Sequence, residues 1–334
     1  MQTLFTERKK RGLLSSGLGM LADNKRYIFW FWLLNLVLAW IGTSAFRESS
    51  QVILDHSSYS NRMIQGFDLS VMIDLFSRPE FGPMVTVTTP AVCSALLFFL
   101  ATALFLPGVF HGYASTYRLP REDFFRACGR NLWRFIRLMM IAGIVMGVFA
   151  GALFFLNSAL VKKAGESAHE LLPFEVEMTG LAVIFLVITT LRIWFDLAEA
   201  DVVLNDQNAV RKSIAAGFRH TFRSLGRLLA TYVVTTIVAA ILLVGGLWTW
   251  IRFVAPDSIL RAFALSQLTL LFLLIPRFWQ RGAAVSYWQQ WMLVPVATVE
   301  PIEAQPQPIV PQVTVDVVPD PAPVIPDLPP TPAS

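Results

Sequence analysis

The chain has 334 residues, of which 55% are apolar and only 15% charged, with 26 Phe and 10 Trp. A typical soluble chain carries about 25% charged residues, so this composition excludes a water-soluble globule, and the scarcity of charge excludes a disordered or fibrous polymer. The net charge is +4 and the two cysteines lie in unlike surroundings, Cys93 in an apolar run and Cys128 in a basic one; no CxxC pattern exists and no disulfide is expected.

Residues 1–26 form a basic lead-in carrying Arg8, Lys9, Lys10, Arg11, Lys25 and Arg26. It imitates the start of a signal peptide. The apolar run that follows, 27–46, is too long for a signal h-region and no A-x-A site succeeds it, so it is read as a retained first span. A bilayer core of about 30 Å needs about 20 apolar residues in a helix. Five further stretches satisfy that requirement: about 88–111, 138–160, 178–198, 228–251 and 259–277. The expected fold is all-α and membrane-embedded, with a six-helix domain over 27–292.

Between spans one and two lies the long loop 47–87, in which Gly66–Phe76 predicts a short amphipathic helix before Pro79, Gly82 and Pro83 break the chain. Between spans two and three stand Arg118, Arg121, Arg126, Arg130, Arg134 and Arg137. Between spans four and five come Arg211, Lys212, Arg219, Arg223 and Arg227. Counting each segment, 20 of the 27 Lys and Arg residues fall on the side shared by both termini. The positive-inside rule puts that side in the cytoplasm, and the expected location is a bacterial inner membrane.

The three basic segments resemble one another. In the third, Val210, Ile214, Phe218, Phe222, Leu225 and Leu229 fall at helical spacing, with the basic residues on the other face. In the second, Phe124, Cys128, Leu132, Phe135 and Ile136 form the stripe. The first, around Leu14, Leu18 and Leu21, is shorter. Gly17, Gly129 and Gly217 occupy early positions in each. The even spans also align at their ends: Leu106–His111, Leu191–Asp196 and Ile275–Gln280, at offsets of 85 and 84 residues. The predicted unit is an interfacial amphipathic helix followed by two spans, three times over. Its arginines are expected to meet anionic head groups.

Residues 293–334 differ in kind. Twelve of the last 40 residues are proline, and none is Lys, Arg or aromatic. Such a tail cannot bury a core. Its Pro308-x-x-Pro311 and Pro323-x-x-Pro326 spacings suit a docking partner, although a solubilising role also suffices.

Within the spans, charge is costly and marks a functional site by default. Arg192 and Asp196 are four apart, on one helix face that Glu199 extends; they serve either as a structural ion pair or as a head-group or substrate site. The repeat alignment sets His111 and Gln280 beside Asp196, which would bring three polar side chains together. Asp196, Glu199, Asp201 and Asp206 are expected to join a solvated network with arginines, since no His partners them at a metal-binding spacing. Gly143, Gly147 and Gly151 form a GxxxGxxxG run expected to pack inside the bundle, or else to form a homodimer seam. Asn35, Asn157 and Gln267 are expected to bond between helices.

No catalytic motif is present: no G-x-S-x-G, no Walker A and no H-R-D set. No cofactor is expected. Nucleic acid is excluded as a partner because the basic segments are joined to apolar faces and spans.

The run Val210–Phe218, with Phe222-Arg223 and Leu228-Leu229, resembles bacterial six-span families that include the membrane domain associated with glycerophosphodiester phosphodiesterases. The resemblance covers about residues 8–290. It implies a six-helix bundle with interfacial elbows in the inner membrane; it does not imply diesterase activity, since the catalytic barrel of those fusions has no counterpart in this sequence. The expectation is therefore a non-enzymatic inner-membrane protein binding lipids or a membrane partner. The alternative is a small-solute or lipid transporter with its site near Arg192, Asp196 and His111. A membrane-embedded lipid enzyme would need converging acid, base and nucleophile, which the sequence does not group.

Overall fold

A computed structural model describes residues 12–54, 69–78, 81, 83–115, 119–167, 169, 171–253 and 258–292. The basic cluster Arg8–Arg11, loop residues 55–68 and the Pro-rich tail lie outside the described residues. Among those described, every regular element is helical: α1 (Leu13–Asp23), α2 (Arg26–Gly42), α3 (Ser44–Leu54), α4 (Leu69–Ser77), α5 (Met84–Ala114), α6 (Arg121–Ala164), α7 (Leu172–Leu204), α8 (Val210–Arg223), α9 (Leu225–Phe253) and α10 (Ile259–Tyr287), closed by a π turn at Trp288–Met292.

Five helices, α5, α6, α7, α9 and α10, are long and apolar enough to cross a membrane, and the bent pair α2–α3 makes a sixth if it is one span. The pair departs from the straight first span expected over 27–46. It bends by 48° around Thr43, whose hydroxyl donates to the Ala39 carbonyl at 2.8 Å and competes with the helix ladder. Gly42 is also pressed against Ser94 of α5, where a methyl group would sit 3.0 Å from the Ser94 side chain. The second basic lead-in is corrected as well: it is not a separate elbow. The 44 residues of α6 run through it without a break. The other two lead-ins stop at Asn24 and Ser224, residues that favour helix ends over interiors. The join at Arg137-Leu138-Met139 consists of strong helix formers.

The spans are longer than a bilayer requires. α5 has 31 residues, α7 has 33 and α10 has 29, against about 20 for the hydrocarbon core. Burial follows the excess. On α7 it is dense from Leu191 to Val203, on α5 at Ala103, Leu106, Val109, Phe110 and Tyr113, and on α10 from Phe278 to Tyr287. Leu13, Met20 and Leu21 of α1 and Phe135 of α6 complete this core. Toward the opposite end the helices turn apolar side chains outward: Ile144, Val148 and Phe155 on α6, Ile241 and Val244 on α9, Leu260 and Phe263 on α10. Water drives apolar side chains together where helices project from the bilayer. Within hydrocarbon no such drive exists, so the spans pack loosely there and face lipid.

Each consecutive pair of spans has a close approach at a glycine. Gly42 meets Ser94 between α2 and α5, Gly180 lies directly under Asn157 between α6 and α7, and Gly246 lies against Thr269 between α9 and α10. The Gly143, Gly147 and Gly151 run is not such a seam. A methyl group added at any of the three would meet nothing within 4 Å. The expected bundle packing is therefore wrong: that face of α6 points away from every described helix.

α1 and α8 are attached by a shared geometry. The Trp279 indole of α10 donates to the Leu14 carbonyl at 2.8 Å, and the Trp194 indole of α7 donates to the Ile214 carbonyl at 2.7 Å. A methyl group on Gly17 would sit 2.8 Å from the Ala283 amide, and one on Gly217 2.8 Å from the Trp194 carbonyl. Both helices thus lie backbone to backbone on an even-numbered span. Gly129 makes no such approach; in α6 the contact is Cys128 and Phe124 against Gly108. The buried face of α8 is Ser213, Gly217 and Thr221. Its apolar stripe is split: Val210 and Ile214 pack against the core, while Phe218 and Phe222 are exposed.

Candidate functional site

The polar cluster forms where α7, α9 and α10 leave the apolar zone. On α7, the run Leu181–Leu191 is apolar except for Thr189 and Thr190, and Arg192 and Asp196 then follow one helical turn apart. Their separation is 3.9 Å from Arg192 Nε to Asp196 Oδ2, with the arginine side chain 29% exposed and the carboxylate 7%. α9 contributes Tyr232, whose hydroxyl donates to Asp196 Oδ2 at 2.8 Å and approaches the Gln280 carbonyl at 3.4 Å. α10 contributes Gln280, whose amide donates to Thr235 Oγ1 at 3.0 Å and Thr236 Oγ1 at 3.3 Å. Tyr232 thus touches the Asp196 carboxylate and the Gln280 main-chain carbonyl, whereas the Gln280 side chain turns to Thr235 and Thr236.

Behind this layer, Glu199 and Arg281 are both buried. Each lies within electrostatic reach of the other and of Asp196 and Arg192. The Arg281 guanidinium stands 5.2 Å over the Phe278 ring, and its Nε has no hydrogen-bond partner among the described residues. Two arginines and two carboxyl groups therefore share one patch, with Arg192 at its partly exposed edge. Ion pairs removed from water persist only with partners close by.

The other expected members lie elsewhere. His111 lies on α5, where its charged neighbours are Arg130 and Asp123. Among the described residues no hydrogen bond or ion pair joins it to Asp196. Nor do the four acids share one solvated network. Asp196, Glu199 and Asp201 are buried; Asp201 Oδ1 accepts from Asn205 Nδ2 at 2.6 Å and from the Trp288 indole at 3.4 Å. Asp206 alone is in the open, accepting from Arg134 at 2.6 Å and facing Arg130 at 3.8 Å. No group of three or more His, Cys, Asp or Glu side chains among the described residues is arranged to hold a metal ion.

The surface cations stand as expected. Arg126, Arg130, Arg137, Arg211, Lys212, Arg219, Arg223 and Arg227 are exposed, with Arg134 half-buried. Beside them stand exposed aromatic residues: Phe125, Trp133, Phe218, Phe222 and Trp291. Arg137 stacks over Trp133 at 4.9 Å and Arg227 over Trp291 at 5.0 Å. Such pairs keep a ring and its cation together at an apolar–polar boundary.

A groove of about 410 Å³ opens between the α6–α7 pair and the α9–α10 pair. Its walls are Ala150 and Phe154 of α6 and Leu181, Phe185 and Ile188 of α7. It ends at Arg192, Tyr232, Thr236 and Gln280. Tyr232, Thr235, Thr236 and Arg281 were not singled out from sequence. Tyr232 carried one signal, as a phenol one turn inside an apolar run.

No protein-family model, curated protein or solved structure matches this chain. The site is therefore read from its own chemistry.

Proposed function

We propose that this chain is a six-span inner-membrane protein of three pseudo-repeats, with both termini in the cytoplasm, that binds anionic lipids of the cytoplasmic leaflet. The observation that carries the reading is the placement of exposed Arg and Lys beside exposed Phe and Trp around one end of the helices. Rings of this kind settle at the head-group level, and each basic side chain contributes about 1 kcal/mol toward an anionic surface. Because 20 of the 27 basic residues lie on that side, the same end is assigned to the cytoplasm.

The repeat is supported by the attachment of α1 and α8. Trp194 and Trp279, and likewise Ala198 and Ala283, are separated by 85 residues, and each pair meets the same positions of its amphipathic helix. An offset of 85 sets Arg281, not Gln280, in the place of Asp196.

The test is lipid selectivity. The protein is reconstituted in vesicles of equal phosphatidylglycerol and phosphatidylcholine, extracted gently, and its bound lipids are weighed by native mass spectrometry. Replacing Arg219, Arg223 and Arg227 together with Gln lowers phosphatidylglycerol enrichment severalfold. Unchanged enrichment refutes the reading. A reporter fused after Ser334 that becomes active in the periplasm refutes the orientation.

A further inference from the structure

We infer that the groove between the α6–α7 and α9–α10 pairs is a built site for one anionic phospholipid, its phosphate on Arg192 and one acyl chain along α7; this rests on the lipid-binding reading and names the place where a single molecule is held.

The guanidinium carries five N–H donors. Among the described residues, none accepts a hydrogen bond from Arg192, whose one ionic contact is Asp196 at 3.9 Å. Asp196 is itself engaged by Tyr232, so the carboxylate is held in place and orients the arginine from its Nε edge. The other donors belong to a group that ends the groove. A phosphate is the acceptor whose geometry suits a guanidinium, through two parallel charge-assisted bonds. The hydroxyl of Thr236 and the amide of Gln280 stand at the same end, although Gln280 is already bonded to Thr235 and Thr236.

The length and chemistry of the walls identify the rest of the ligand. From Leu181 to Arg192 is eleven residues of helix, or about 16 Å at 1.5 Å per residue. Half of a bilayer core is about 15 Å, so the groove runs from the head-group level to the midplane of one leaflet. The walls over that length are Ala150, Phe154, Leu181, Ile184, Phe185 and Ile188, apolar until Thr189 one turn before Arg192. The cavity volume of about 410 Å³ lies within the range of about 300–1,000 Å³ common to small-ligand sites. Because the groove opens sideways between two helix pairs, a chain already in the bilayer enters it without crossing water. A free phosphate would leave the apolar walls uncovered, and an uncharged lipid would leave Arg192 unbonded.

The experiment uses the full chain in the same mixed vesicles, followed by prolonged detergent washing that strips loosely held lipid, and native mass spectrometry of what stays. Wild type retains one phosphatidylglycerol per chain. Arg192→Gln retains roughly tenfold less, as expected for the loss of a charge-assisted pair, and Arg192→Lys recovers part of it. Ala150→Phe fills the groove from the opposite wall, leaves the polar cluster untouched, and lowers retention as far as Arg192→Gln does. Retention equal to wild type in both Arg192→Gln and Ala150→Phe overturns the site, as does recovery of a free fatty acid or of phosphatidylcholine in place of phosphatidylglycerol from wild type. The Arg219, Arg223 and Arg227 triple variant separates the two readings. It keeps the washed-resistant lipid while losing general enrichment, so failure of the groove and failure of the surface reading appear in different samples.

Discussion

Gly217→Ala tests how α8 is joined to the spans. The added methyl group falls 2.8 Å from the Trp194 carbonyl oxygen, 3.1 Å from the Ala198 amide and 3.2 Å from the Ala198 Cβ. Two of these neighbours are backbone atoms of α7 inside the buried stretch Leu191–Val203, so they cannot swing aside. α8 must move instead by several tenths of an ångström, which stretches the 2.7 Å bond from the Trp194 indole to the Ile214 carbonyl. Overpacking of this kind costs about 1–3 kcal/mol, and weakening the indole bond adds up to about 1 kcal/mol. Alanine returns about 1 kcal/mol of helix propensity. The net is a destabilisation of about 1–2 kcal/mol, several degrees in Tm for a chain of this size. Thermal unfolding in detergent, followed by near-ultraviolet circular dichroism of the tryptophans, reads it. Gly129→Ala is the control: a methyl group there meets nothing within 4 Å, so only the propensity gain remains and Tm rises slightly. A Gly217→Ala protein as stable as the Gly129→Ala protein refutes backbone contact between α8 and α7.

Three further outcomes follow from the same geometry. Tyr232→Phe leaves the buried Asp196 carboxylate without its 2.8 Å donor and lowers stability by about 1.5–3 kcal/mol, measured as a shift in the midpoint of chemical unfolding. Gly147→Ala, on the outward face of α6, leaves Tm unchanged or higher; a loss of several degrees would restore a packing role for that glycine run. His220 on α8 has its pKa lowered, first by burial and then by the neighbouring Arg223. The unfolded chain therefore takes up a proton on acidification before the folded one does, so folded stability falls as pH drops through the ordinary histidine range. Thermal melts from pH 8 to pH 5 show a smaller acid loss in His220→Gln than in wild type, and equal losses would remove His220 as the cause.

The spans were legible because hydrocarbon imposes a length: about 20 apolar residues without charge leave little else to build. The short helix in the long loop was legible for a similar reason, its pattern being bounded by Pro79 and Gly82; α4 occupies Leu69–Ser77 within it. The surface cations were legible too, since a basic side chain at a helix end has few places to go but outward. The fate of Gly143, Gly147 and Gly151 was not, because small residues permit a close approach without requiring one. Gly180 and Gly246, which do meet Asn157 and Thr269, carry no repeated spacing that would distinguish them. The break between α8 and α9 at Ser224 and its absence near Arg137 followed residue preferences that an argument from three similar lead-ins overrode.

The polar cluster was half legible, and the missing half has a geometric cause. Sequence spacing places Arg192, Asp196 and Glu199 on one face because all three belong to α7. Their partners Tyr232, Gln280 and Arg281 come from other helices, and which side chain of a helix faces a neighbour changes by about 100° for each residue of register. Aligning the span ends at an offset of 84 set Gln280 against Asp196, whereas the proposed repeat, taken from the matching contacts of Trp194 and Trp279, has an offset of 85. That single step is the difference between a neutral amide and a buried guanidinium. In the proposed repeat, Asp196 on α7 and Arg281 on α10 would share one position, and the two lie within electrostatic reach of each other. Arg192, at the edge of that patch, is the cation that meets the groove.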